Sequence, residues 1–176
     1  MVPSNAVLDC IFARKSVRHF TGSPASRDEL ELLMKAAMAA PTARNMQPWS
    51  FAGVLDPVIL KNLAEGLPYA KMLPQAGSAV VVCGDMDKRS PGSNPDLWVQ
   101  DCSAATQNLL LAAESLGLGA VWTACYPYEA RYRWVRKVLG LPAHIMPFSV
   151  VPVGHPSGED VAKDKFRPEN IHWDKW

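Results

Sequence analysis

Apolar positions along the chain fall into blocks of different period, and their alternation predicts a mixed α and β fold. Val7, Leu8, Ile11 and Phe12 recur at helical spacing and give way to the cluster Arg14, Lys15, Ser16 and Arg18. Ser26, with Glu29 three residues on, is a capping-box signature ahead of Leu30, Leu33, Met34, Ala37 and Met38. A second helix is predicted there, stopped by Pro41. Trp49 to Leu55 reads as a strand, and Asp56-Pro57 as a helix start with cap and first-turn proline. The run Ala79-Val80-Val81-Val82-Cys83 is apolar at every position, which predicts a short strand covered on both faces. Ser, Pro, Gly and Asn between Asp87 and Asp96 mark a loop. The longest predicted helix runs from Leu97 to Leu116, with Ala104, Ala105, Ala112 and Ala113 small enough for close packing. A strand near Ala120 to Ala124 and a charged helix around Glu129 to Leu139 follow. The last predicted strand, Phe148 to Val153, ends at Gly154-His155-Pro156, and no internal repeat is present.

At 176 residues and 48% apolar content, the chain suits one folded domain over 1–176, with 154–176 as a C-terminal tail. Lys and Arg total 18 against 17 Asp and Glu, a net charge of +1, so no global field favours nucleic acid or a membrane surface. No apolar run approaches the roughly 18 residues needed to span a bilayer. A basic n-region followed by an apolar stretch is missing near Met1, so a cytoplasmic protein is expected. Cys10, Cys83, Cys102 and Cys125 are far apart in sequence, with no Cys-x-x-Cys, which reads as reduced structural thiols. His19, His144, His155 and His172 are scattered, and no metal site is expected.

The tail is basic and then aromatic: Lys163, Lys165 and Arg167 precede Ile171, Trp173 and Trp176. Side chains that large need cover. The tail either folds back on its own domain or lies across a second subunit, and the second arrangement makes the protein an obligate homodimer.

Three segments carry candidate chemistry. Arg14-Lys15-Ser16-Val17-Arg18 offers guanidinium forks, a point charge and a short hydroxyl, a donor set suited to phosphate. The plainer reading is a solvated basic helix end. In Ala40-Pro41-Thr42-Ala43-Arg44-Asn45-Met46-Gln47-Pro48-Trp49 two prolines stiffen a connection whose amide side chains could pair with a ring that alternates donors and acceptors. It reads equally as a stiff helix-to-strand loop. Gly117-Leu118-Gly119 mimics the opening of a dinucleotide fingerprint but lacks the third glycine. It also follows a helix and precedes a strand, the reverse of the required order, and so reads as a helix stop.

In order and spacing these segments resemble the FMN-dependent nitroreductase family. The resemblance rests on Arg-Lys-Ser-Val-Arg, Ala-Pro-Thr-Ala-Arg-Asn-Met-Gln-Pro-Trp-Ser-Phe, Gly-Leu-Gly-Ala-Val-Trp and the Val-Gly-His-Pro…Lys-Asp-Lys-Phe-Arg-Pro-Glu-Asn-Ile-His-Trp tail, and covers nearly the whole chain. It implies an α+β nitroreductase-like fold. A central mixed or antiparallel sheet is flanked by helices in an intertwined homodimer, with FMN at the interface and the C-terminal segment reaching the partner. Carried over, it assigns Arg14, Lys15 and Ser16 to the FMN phosphate and ribityl chain. Arg18 falls beside the ribityl chain or the pyrimidine side of the ring, and Lys163 and Lys165 to the tail cations that close over the phosphate. Pro41, Thr42 and Ala43 match the segment that approaches the ring from the other subunit, with Asn45 and Gln47 beside it. Trp122 and Thr123 match the strand that passes the N5 and O4 edge, and Lys71 is a candidate for a further cation near the ring, left outside the assigned set. Two departures stand out. Lys165 replaces a common Arg, losing the bidentate grip, and the Glu-Gly pair of many members is missing at Trp122-Thr123, which leaves backbone contacts there.

The implied activity is reduction of nitroaromatics, quinones or similar electron-poor acceptors by NADH or NADPH, in two half-reactions through flavin N5. Arg18 would supply positive charge near N1 and C2=O. No side chain is needed as nucleophile. The alternatives are a flavin-binding sensor or carrier without turnover, and a specialised family reaction such as reductive dehalogenation.

Overall fold

The computed structural model describes residues 5–89, 94 and 96–176. In chain order it holds α1 (Ala6–Ala13), β1 (Phe20–Pro24), α2 (Arg27–Met38), β2 (Trp49–Val54), α3 (Pro57–Gly66) and α4 (Leu73–Ala76). There follow β3 (Ser78–Asp85), α5 (Leu97–Ser115), β4 (Gly119–Ala120), β5 (Thr123–Ala124), α6 (Glu129–Leu139) and β6 (Ile145–Pro156). Local chemistry sets several of these boundaries. The Asn5 side chain accepts from the Val7 and Leu8 amides at the start of α1, and Asp56 does the same for Val58 and Ile59 at α3. Ser26 and Glu29 form a reciprocal capping box at α2. At the end of α5 the Leu118 amide donates to the Ala113 carbonyl and Gly117, at φ 71°, to that of Glu114. These two bonds make a Schellman stop, so the glycine-rich stretch ends a helix as its order implied.

The sheet runs β1-β6-β3-β2 with antiparallel ladders, and β4 and β5 also pair antiparallel with β6. Every residue of β3 is buried, as its unbroken apolar run predicted. Its side chains divide by alternation between two cores. Val80 and Val82 pack on one face with Leu30 and Leu33 of α2 and Leu109 of α5. Ala79, Val81 and Cys83 pack on the other with Leu60 and Leu63 of α3 and Val135 of α6. Opposite Val82 and Cys83 stand Ser149 and Pro147, so Phe148 is the extra residue of a bulge in β6. Its carbonyl takes the amides of Cys125 and Tyr126. Burial pushes the thiols of Cys83 and Cys125 up to about 12 and raises that of Cys102 as well, so all three pack as small hydrophobes.

Several elements depart from the sequence pattern. The strand expected over 120–124 is two short pieces, β4 and β5, interrupted at Val121 and Trp122. β6 is longer at both ends than the predicted Phe148–Val153, because β3 pairs with Ile145, Met146 and Pro147 and β1 with the far end at Gly154 and Pro156. Strand β1 and the single turn α4 have no periodic signal of their own. Helix α1 forms as predicted but buries none of its residues: Val7 is 67% and Phe12 72% exposed. Of the loop expected over 87–96, residues 90–93 and 95 lie outside the described residues.

Candidate functional site

The basic segment is positioned by its one apolar member. Arg14 caps α1, and the chain then extends so that Val17 is buried, its amide donating to the Ala120 carbonyl at 3.0 Å. Burying Val17 leaves Lys15 and Ser16 half-buried on one side of it and Arg18 exposed on the other. From the far end of the chain, Asp160 accepts from the Arg18 amide at 2.8 Å, the His19 amide at 3.1 Å and the His19 Nδ1 at 3.3 Å. That carboxylate pins the start of the tail beside the basic segment. A cleft of about 430 Å³ results, walled by Arg14, Lys15, Ser16 and Arg18 from the N-terminal side and by Lys163 and Lys165 from the tail. Glu159, Asp160 and Val161 complete the wall. Burial would raise the Asp160 carboxyl, but the amides of Arg18 and His19 and the His19 ring outweigh it and hold it below the usual carboxylate range. Lys15 also has a partner of its own, with its Nζ 2.9 Å from Glu114 Oε1.

Arg18 also borders a second cleft of about 540 Å³, where Trp122 and Thr123 meet Lys71. The indole of Trp122 lies against Phe148 at 5.5 Å between centroids. The Thr123 hydroxyl donates to the Val150 carbonyl at 2.5 Å, so its side chain serves the sheet. The Lys71 ammonium donates to the Ala64 carbonyl at 2.7 Å and is held at the end of α3. Between the clefts β4 runs close beneath the basic segment: a Cβ on Gly119 would stand 2.6 Å from Val17 Cγ1.

The loop residues Pro41, Thr42, Ala43, Asn45 and Gln47 line neither cleft of their own chain. They form a separate, internally braced structure. The Ala43 amide donates to buried Asp101 at 2.9 Å, and the Gln47 amide to the Thr42 hydroxyl at 3.1 Å. Gln47 Nε2 donates to Asn45 Oδ1 at 3.1 Å. Arg44, Asn45 and Gln47 take positive φ of 52°, 56° and 50°. Asn45 tolerates that region, whereas Arg44 and Gln47 each cost about 1–2 kcal/mol there, so the bracing holds the loop in a form that two of its residues do not favour.

Three groups that organise these features escaped sequence reading: Asp160, Asp101 and Glu114. Each acts across 58 or more positions of chain, and no local spacing marks it. Away from the clefts, Asp85, Asp87 and His144 place ligand-type atoms within 4.8 Å of one another, although the histidines are scattered in sequence. The Lys88 ammonium, 2.9 Å from Asp85, supplies the cation there.

A model of the Nitroreductase family matches residues 11–155. A relative from Archaeoglobus fulgidus, named "Putative NADH dehydrogenase/NAD(P)H nitroreductase", is 45% identical over 172 residues and spans 96% of this chain and 98% of its own. The crystal structure of a protein of the same name from Parabacteroides distasonis superimposes with a TM-score of 0.92 at 49% identity, covering 98% of this chain and 100% of the other. A "putative nitroreductase in complex with fmn" from Desulfovibrio desulfuricans reaches 0.82 at 26% identity, with 99% of each chain covered. With helices on both faces of an antiparallel sheet and a family match across most of its length, the chain belongs to the nitroreductase family.

Proposed function

We propose that this chain is an FMN-dependent oxidoreductase. It takes electrons from NADH or NADPH and delivers them to nitroaromatics, quinones or similar electron-poor acceptors, donor and acceptor using one site in turn. The observation that carries this reading is the convergence of Arg14, Lys15, Arg18, Lys163 and Lys165, with the Ser16 hydroxyl, on one cleft. Five cations with only two carboxylates, one of them occupied by amides, form a donor set for a phosphate dianion. The adjoining cleft, walled by Trp122 and Thr123, suits a flat ring, and Arg18 stands where the two meet.

In this reading Arg14, Lys15, Ser16, Lys163 and Lys165 would hold the phosphate. Lys15 would share its charge with Glu114. Trp122 and Thr123 would face the ring through their backbone, since the Thr123 hydroxyl is engaged by Val150. Arg18 would set a fixed positive charge beside the ring, which favours the arrival of electrons there. The bound cofactor supplies hydride exchange; the chain supplies position and field. Pro41, Thr42, Ala43, Asn45 and Gln47 would cover the ring of the partner's site in a homodimer. Two facts support that arrangement: the loop is far more braced than a solvent loop requires, and α1 and the tail leave large apolar side chains uncovered. The test is the absorption spectrum of the purified protein. Oxidised flavin bands that bleach on anaerobic addition of NADH or NADPH, and return with menadione or a nitrofuran, are expected. A colourless protein that stays so in excess FMN overturns the reading, and a yellow one that never bleaches makes the chain a flavin carrier.

A further inference from the structure

The second cleft contains a cation that the proposed chemistry leaves unused. Arg131, in the first turn of α6, reaches its rim together with Tyr69 and Tyr128. Its guanidinium carbon lies 3.8 Å from the centroid of the Tyr128 ring and 5.3 Å from that of Tyr69. Stacking against tyrosine fixes the guanidinium plane and leaves its in-plane N–H groups free to donate. One of them, on Nη1, donates to the Ala124 carbonyl at 3.2 Å, which holds the group over the strand that walls the cleft. Among the described residues no carboxylate pairs with Arg131. The other two cations of this cleft are otherwise engaged. Arg18 also borders the phosphate cleft, and the Lys71 ammonium is spent on the end of α3. Among the described residues no acidic one lines the cleft. An arginine oriented by two half-exposed or more exposed aromatic rings, with donors to spare and no acid in reach, is built to meet an oxyanion carried on a flat substrate.

We infer that Arg131 reads a carboxylate on the electron acceptor, so that the site prefers anionic aromatic acceptors to neutral ones of the same shape. The inference rests on the oxidoreductase reading above and deepens it by naming the acceptor class. The experiment compares 4-nitrobenzoate with 4-nitrobenzamide as acceptors for the FMN-loaded wild type, Arg131→Gln and Arg131→Lys, and measures benzoate binding to the same proteins by calorimetry. Losing a charge-assisted hydrogen bond should lower the benzoate-to-benzamide ratio of kcat/KM by about tenfold in Arg131→Gln. Benzoate affinity should weaken by a similar factor, with Arg131→Lys between the two. An unmoved ratio in proteins with wild-type unfolding temperatures overturns the assignment. So does a change confined to NADPH against NADH, which would give Arg131 to the donor's phosphate, or a loss of FMN from Arg131→Gln, which would give it to the cofactor. The spectrum of the wild type keeps the two readings apart. A colourless wild type defeats the oxidoreductase reading, whereas yellow proteins with an unmoved ratio defeat this one alone.

Discussion

The carboxylate of Asp160 ties the basic segment after α1 to the beginning of the tail. Its side chain is 14% exposed and accepts from two backbone amides and a histidine ring. Because those donors hold its folded pKa below the ordinary value of about 3.9, its contribution to stability is complete above that pH. It is lost as the pH falls through the lower folded value. Asp160→Asn should cost about 1–2 kcal/mol at pH 7, a gap that closes on acidification below pH ~4. Urea unfolding of both proteins across that range checks the sign. Arg18 stands at the junction of the two clefts, and Arg18→Glu would put a negative charge where a phosphate and an electron-accepting ring are to be held. FMN retention, measured by equilibrium dialysis, should fall by at least about tenfold; unchanged retention and turnover remove Arg18 from the site. At this scale the sequence was legible where side-chain chemistry is itself rare. Arg14, Lys15, Ser16 and Arg18 announce a basic donor set by density alone. Asp160 and Asp101 do not, because an acid's meaning here depends on which distant amide it faces.

At the scale of elements, periodicity served best where an element's neighbours lie on defined faces. The α2 stripe of Leu30, Leu33 and Ala37 and the all-apolar β3 both fold as their patterns require. Strand β1 did not announce itself, since Thr21, Gly22, Ser23 and Pro24 read as a turn and become a strand only by pairing with β6. The break in the β4–β5 segment has a like origin: the register runs unshifted from Ala120–Val153 to Thr123–Val150, which sets Val121 opposite Pro152, a residue with no N–H to give the ladder. Gly119 is required by closeness to Val17 and Phe20, both buried. Gly119→Ala would overpack that contact and should lower stability by about 1–3 kcal/mol, seen as a reduced unfolding temperature. It should also loosen the basic segment that Val17 anchors.

Over the whole molecule, the described chain leaves much apolar surface uncovered. Helix α1 is apolar on the outside, and in the tail Phe166 is 64%, Trp173 84% and Trp176 100% exposed. Covering one indole is worth about 4–6 kcal/mol, so a second subunit would gain substantially by enclosing the tail. Removing residues 168–176 should then give a monomer or an insoluble product, with FMN lost from what remains. Light scattering coupled to gel filtration decides, and a soluble, fully active dimer of the shortened chain would refute the tail's role.

What the amino-acid order determined by itself was the set of local choices: helix starts at Ser26 and Asp56, the helix stop at Gly117, the doubly covered β3 and a phosphate-suited cluster at Arg14–Arg18. Each depends on residues within a few positions of one another, where capping, spacing and charge density are decisive. The resemblance already paired Lys163 and Lys165 with that cluster; tertiary structure alone decided that Lys71 is spent on a helix end, that α1 turns its apolar side outward, and that Arg131 lies between two tyrosines. Those outcomes depend on contacts between segments far apart in the chain. A one-dimensional pattern carries no record of such distances, because they arise only when the sheet brings β6 between β1 and β3.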